Sequence, residues 1–173
     1  MNFHLDIINL HWIDETNDNP ADLCLHGKLF VKIGDEILDD GMHNWTVSAG
    51  AYRMLESLYG DHQSGYEEHL LPCCGHFMFV DEKTDELIIS GCPSGIDWSV
   101  THESDTVRLA TDKSSQIVIS FEEYKATVFK FADAIKSFYA KCTPKQIKED
   151  NFEDKAYERF WMNWNKMRSG ISI

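Results

Sequence analysis

Residues 70–102 read LLPCCGHFMFVDEKTDELIISGCPSGIDWSVTH, and the alternation within this stretch decides the fold class. Phe77 to Val80 and Leu87 to Ser90 are short runs rich in aromatic and β-branched residues, separated by the polar sequence Asp-Glu-Lys-Thr-Asp-Glu. Two such runs with a polar connection predict an antiparallel hairpin. Pro93-Ser94-Gly95 then predicts a turn, because proline presets φ and glycine accepts positive φ. In the third run Trp98, Val100 and His102 share one face, with Ser99, Thr101 and Glu103 on the other, as in a half-buried strand. The stretch therefore reads as the heart of an antiparallel sheet.

Toward the C-terminus, Val107 to Thr111 and Gln116 to Ser120 predict two more strands, joined by a turn at Asp112-Lys113-Ser114-Ser115. Ser120 and Glu123 have the spacing of a capping box, in which hydroxyl and carboxylate satisfy orphan amides of a helix start. Phe121, Tyr124, Val128, Phe131, Ile135 and Phe138 supply that helix with an apolar stripe, and Thr143-Pro144 closes it. Asp150 and Glu153 repeat the spacing ahead of Phe152, Ala156, Tyr157, Phe160, Trp161, Trp164 and Met167, with Gly170 beyond them. A stripe with this much aromatic area covers the domain's own sheet or anchors a partner.

Toward the N-terminus the period changes at Ser48, an expected N-cap, with Ala51, Leu55 and Leu58 following and Gly60 past the end. Residues 60–68 read as an exposed connection. From Leu23 to Ile33 alternation is strict, with Leu23, Leu25, Gly27, Leu29, Val31 and Ile33 on one side. Gly34-Asp35 predicts a turn, Ile37-Leu38 a short return, and Asp39-Asp40-Gly41 a further turn before Trp45 and Val47. Residues 3–12 read as a strand that ends in the acidic loop Asp14 to Pro20. That loop lacks the EF-hand pattern, since the sixth position from Asp14 is Asn19 and the twelfth is Leu25. The expected architecture is α+β: a mainly antiparallel sheet of roughly six to eight strands, one early helix and two C-terminal helices packed on it. The 173 residues have the length of a single globular domain, with residues 145–173 as a C-terminal helical appendage.

Apolar residues make up 43% of the chain, which argues for a folded core despite a net charge of −13. The first dozen residues lack the basic start and continuous apolar run of a secretory signal. No apolar run reaches the roughly 18 to 20 residues that span a bilayer. With five cysteines in no framework spacing, the expectation is a soluble cytoplasmic protein with reduced thiols and no membrane partner. Residues 1–105 hold 20 Asp and Glu against 4 Lys and Arg, whereas residues 106–173 hold 9 against 12. A negative field of this kind repels phosphate backbones and excludes nucleic acid as the expected partner.

Cys74, His76, Cys92 and His102 are the candidate zinc ligands, beside Cys73 and His69. Zinc takes four ligands at tetrahedral corners, usually from paired short-spacing motifs, and Cys92 has no partner two residues on. Buried reduced thiols are the simpler reading, so no cofactor is expected. Pro72-Cys73-Cys74 resembles the P-C-x-x-C half of zinc nucleobase deaminases only in its first residues, and no H-x-E precedes it. A thiol enzyme would use Cys73 or Cys74 with His76 or His102 as base and Asp97 to orient it. Glycine-rich phosphate motifs and a GxSxG elbow are absent from the sequence.

Two function classes follow. The first is a non-catalytic acidic binding protein that docks a basic partner by charge complementarity, as bacterial immunity and inhibitor proteins do. Its expected contact residues are Asp14, Asp18, Asp22, Asp35, Asp39 and Asp40, gathered at the loops of the N-terminal meander with no basic neighbours. The alternative is a small thiol or zinc-dependent enzyme centred on residues 73–102. The absence of a coherent catalytic set favours the first.

Overall fold

The computed structural model describes residues 2–15, 17–65, 68–73, 76–91, 93–146, 152–171 and 173. β1 (Phe3–His11), β2 (His26–Ile33) and β3 (Glu36–Trp45) form an antiparallel meander in that order. The alternation of β2 puts Leu29, Val31 and Ile33 wholly inside. β1 alternates less cleanly because Ile8 is an extra residue: Ile7 faces Leu29 and Asn9 faces Lys28. Such a bulge shifts the phase of every later side chain, so Phe3 and Leu5 point inward before it and Trp12 after it.

The turn expected at Asp39-Asp40-Gly41 is instead a bulge in a continuous β3. Phe30 pairs with Asp40 and Lys28 with Asn44, which leaves Gly41, Met42 and His43 opposite Leu29 alone. The Asp39 and Asp40 carboxylates accept the N–H groups of Gly41 and Met42 at 3.1 and 3.3 Å. Gly41 takes φ +92°, a conformation that glycine enters without steric cost.

α1 (Val47–Glu56) starts earlier than expected, with Thr46 at the N-cap. Ser48 lies inside the first turn, where its Oγ accepts the Leu25 N–H at 3.1 Å and its own N–H donates to the Leu25 carbonyl at 3.3 Å. The hydroxyl thus fastens the helix to the chain entering β2 instead of capping it. Every residue from Val47 to Leu55 is buried, so this helix has no solvent face until Glu56. Its small residues Ala49, Gly50 and Ala51 let neighbouring backbone come close. A Cβ on Gly50 would lie 2.7 Å from Leu71 Cδ2 and 3.2 Å from the Leu70 carbonyl oxygen.

β4 (Leu71–Pro72) pairs with β7 (Gly95–Ile96), and β5 (His76–Val80) with β6 (Leu87–Gly91). β8 (Ser99–Glu103), β9 (Thr106–Ala110) and β10 (Gln116–Ser120) form a second antiparallel meander. The antiparallel α+β class holds, but among the described residues the single sheet expected is four small sheets: two of three strands and two of two. The 77–90 hairpin is not the heart of a sheet. Met78 and Ile89 on its inner face are covered by helix, with α3 packed on β5 and β6, and among the described residues no further strand pairs with either. The connection after α1 is also less exposed than expected, because His62 is buried and bridges to Val100 of β8.

α2 (Phe121–Tyr139) begins where its sequence signal lies, with Ser120 Oγ accepting the Glu123 N–H at 3.2 Å. Tyr124, Val128, Phe131 and Ile135 are buried, and the helix packs on α1, β1, β9 and β10. α3 (Phe152–Arg168) packs on α1 as well as on the hairpin, with Phe160 and Trp164 buried and Phe160 stacked on Tyr52 at 5.0 Å. Asp150, the expected cap of α3, lies outside the described residues.

Gly50→Ala tests the close approach of α1. Alanine gains about 1 kcal/mol of helix propensity, whereas overpacking a core costs about 1–3 kcal/mol. We expect denaturant unfolding to show a net loss of about 1 kcal/mol or more for Gly50→Ala. Gly60→Ala, with nothing within 4 Å of the added carbon, is the control and leaves stability unchanged or slightly raised.

Candidate functional site

The C-terminal half of α1 carries a cation into the interior. Arg53 is 8% exposed; its Nη1 donates to the His69 carbonyl at 2.5 Å and its Nη2 to the Ile89 carbonyl at 2.8 Å, and it is ion-paired with Glu68. Burial lowers its pKa, while Glu56 and Asp97 favour the charged form. These bonds hold residues 68–70 and strand β6 beside the helix. Between the three elements lies a cleft of about 320 Å³. Its walls are Leu70 and Leu87–Ile89, and its charged lining is Glu56, Asp61 and Glu68 against the one guanidinium. A second cleft of about 360 Å³ adjoins it, sharing Tyr52, Glu56 and Leu87, and is lined by Asp85, Arg159, Asn163 and Lys166.

His62 lines the first cleft, and behind it stands Asp97. His62 Nε2 and Asp97 Oδ1 are 2.8 Å apart, both side chains being nearly buried. Asp97 also accepts the N–H groups of Leu70 at 3.0 Å and Gly65 at 3.4 Å. Burial pushes its pKa up, but the His62 hydrogen bond and charge and the two amides outweigh this, so it sits below the ordinary carboxylate value. A histidine oriented by a buried carboxylate is one half of an acid–base apparatus. The two hydroxyls of the lining are engaged elsewhere: Ser57 donates to the Met54 carbonyl at 2.8 Å and shares a 2.6 Å bond with the Tyr124 hydroxyl, and the Tyr52 hydroxyl accepts from Asn163 at 3.0 Å. The arrangement orients a base without presenting it a nucleophile among the cleft's lining residues.

Beside the cleft, the outer face of the hairpin is apolar. Phe77 is 52% exposed, its ring centroid 5.8 Å from that of Phe79, and Phe79 faces Ile88 across the strands. The turn beyond carries Asp81, Glu82, Asp85 and Glu86.

The six aspartates singled out in the sequence do not share one surface. Asp14, Asp18 and Asp22 lie in the β1–β2 connection; Asp35 lies at the opposite end of β2, roughly 25 Å away by strand rise. Asp39 is 3% exposed and accepts the Trp45 indole N–H, so it serves the bulge. Asp18 has a cationic neighbour: Lys145 Nζ lies 2.9 Å from it and 3.2 Å from the centroid of the Trp12 ring. The Thr143 N–H and this lysine lower the Asp18 pKa. Asp22 accepts the N–H groups of Ile13 and Cys24 at 2.9 and 3.1 Å, while Asp14, Asp35 and Asp40 are exposed.

Cys74 and Cys92 lie outside the described residues, as does the side chain of His76. Cys73 is partly buried against the core. His102 directs Nδ1 to Asp61 at 3.0 Å, and Asp97, the carboxylate expected to orient His76 or His102 in a thiol enzyme, is bonded to His62. Among the described residues one group of three potential metal ligands forms, Asp39, Asp40 and His43 at the β3 bulge. Arg53, Glu56, Asp61 and His62 were not singled out from sequence. The available signal was Arg53 itself, a lone cation in the otherwise uncharged run VSAGAYRML.

Comparison with family models, with curated proteins and with solved structures finds no match to this chain. Function is therefore argued from the site alone.

The pair behind the cleft gives a pH-dependent test. A depressed folded-state pKa contributes stability above the unfolded aspartate value of about 3.9, and that contribution is lost as pH falls through the folded value. Asp97→Asn removes charge-assisted hydrogen bonds and is expected to cost about 1.5–3 kcal/mol at neutral pH. Urea titrations from pH 7 to pH 2 should show the two proteins converging in acid; a gap that stays constant would show that the carboxylate's charge does not matter.

Proposed function

We propose that this chain is a non-catalytic binding protein that docks a basic partner, and that the docking face is the outer side of the β5–β6 hairpin with the acidic cleft beside it. The observation that carries the reading is that Ile88, which lines the cleft with the carboxylates Glu56, Asp61 and Glu68, is also paired across the hairpin with Phe79, whose neighbour Phe77 is turned outward. An apolar aromatic centre with a charged rim is the usual anatomy of a protein interface. The sign of the rim selects a cationic partner and steers its approach. An inhibitor or immunity role is the member of this class that best suits a chain with a net charge of −13.

Capture from the source cell tests this reading. The retained protein is expected to be basic and to be lost as salt rises from about 0.05 to 0.5 M, since exposed charges are screened over about 10 Å at 0.1 M. Phe77→Ser should weaken capture about tenfold or more, the effect of losing a central aromatic anchor. Asp35→Lys with Asp40→Lys, at the β2–β3 turn and the β3 bulge, should have the smaller effect. An acidic captured protein, or capture that survives 1 M salt and Phe77→Ser, would overturn the reading.

A further inference from the structure

We infer that the cleft between α1, residues 60–70 and β6 receives a single arginine side chain of the basic partner. This rests on the docking reading above and assigns the contact within it.

The cleft's size, charge and walls each restrict the occupant. At about 320 Å³ it stands at the low end of ligand pockets, which run from about 300 to 1,000 Å³. It therefore suits one long side chain better than a folded cofactor. Three carboxylates line it against one guanidinium, and that guanidinium is engaged by Glu68, the His69 carbonyl and the Ile89 carbonyl. The balance excludes an anion and favours a cation.

Leu87, Ile88 and Ile89 provide an apolar wall along which the methylene stem of an arginine can lie while its head stays polar. The phenol of Tyr52 lines the cleft, and burial pushes its pKa up, so it stays neutral. The head group meets Asp61 and Glu56. The Asp61 pKa is lowered by the His102 N–H and imidazole, which keep it ionised. A planar guanidinium presents a fork of donors to carboxylates and is more weakly hydrated than an ammonium, so arginine suits this half-enclosed site better than lysine. Ile88 of the cleft wall is paired with Phe79 across the hairpin, so an arginine flanked by apolar residues on the partner would engage both features at once.

The test uses the free protein and N-acetyl-arginine methylamide as probe, with the citrulline and lysine analogues for comparison, followed by amide chemical shifts. Arginine is expected to move the amides of Glu56, Gly60, Asp61 and Leu87–Ile89. Citrulline, which lacks the charge, should not, and lysine should bind more weakly. Asp61→Asn with Glu56→Gln should weaken arginine binding about tenfold, two partly exposed charge pairs being removed. Glu56→Gln alone, at an exposed position, gives the same direction if the double variant is unstable. The inference fails if arginine shifts scatter over the acidic surface, if citrulline or lysine matches arginine, or if Glu56→Gln leaves binding unchanged. A basic partner captured with no arginine response at the cleft would sink this assignment and leave the docking reading standing. An arginine response with no basic partner would do the reverse.

Discussion

A charged side chain on a helix with no solvent face is the constraint on which the rest of this structure depends. Arg53 sits within the wholly buried run Val47 to Leu55 of α1, and an uncompensated charge there would cost several kcal/mol. Its donors must be met, and the groups that meet them are the His69 and Ile89 carbonyls and the Glu68 carboxylate. Those contacts fix the approach of residues 68–70 and of the β5–β6 hairpin to the helix. The cleft is the space that remains between elements held apart by one guanidinium. Replacing Arg53 by a hydrophobic residue would remove the spacer as well as the charge.

The other buried polar groups of α1 act in the same way, each toward a different neighbour. Ser48 reaches Leu25 ahead of β2, Ser57 shares a hydrogen bond with Tyr124 of α2, and the Tyr52 hydroxyl accepts from Asn163 of α3 at 3.0 Å. The Thr46 N–H donates to the Pro72 carbonyl in β4. A central helix tied on all sides leaves no room for a broad sheet to run through the middle. This is why ten strands among the described residues divide into four small sheets around it. Two-stranded pieces are marginal alone and need a helix to cover one face, which α3 supplies for the hairpin.

What the sequence shows of this arrangement is local. Alternation from 25 to 33, the Ser120 cap and the α2 stripe depend on neighbours a few residues apart, and each is realised at its expected place. The bulge at Ile8 was hidden because a single inserted residue reverses the phase and makes a strand read as irregular, and the bulge at residues 41–43 was hidden because its Asp-Asp-Gly start has the composition of a turn. The antiparallel α+β class was legible, but the count, ten strands among the described residues against the six to eight expected, and their grouping were not, since pairing is decided by what occupies the centre. The same division applies to the site. The acidity was plain from composition, but His62 and Asp97 are 35 residues apart and meet through the bridge to Val100, for which the sequence carries no local signal.

The charge asymmetry along the chain also changes meaning on folding. Basic residues of the C-terminal region pair with acids of the N-terminal region: Lys130 with Asp6, Lys145 with Asp18, Arg159 with Asp85 and Lys113 with Glu36. The more exposed of these pairs add little to stability, about 0–1 kcal/mol each, but all of them cancel the field locally. The excess of −16 in residues 1–105 is therefore not spread evenly over the surface. The β1–β2 connection loses part of it to Lys145, whereas the cleft keeps Glu56 and Asp61 beyond the Glu68 that pairs with its one guanidinium. Low-dielectric walls concentrate a field that a flat surface would disperse. The cleft, set between Leu70 and Leu87–Ile89, is where the composition of the whole chain becomes a local preference for a cation.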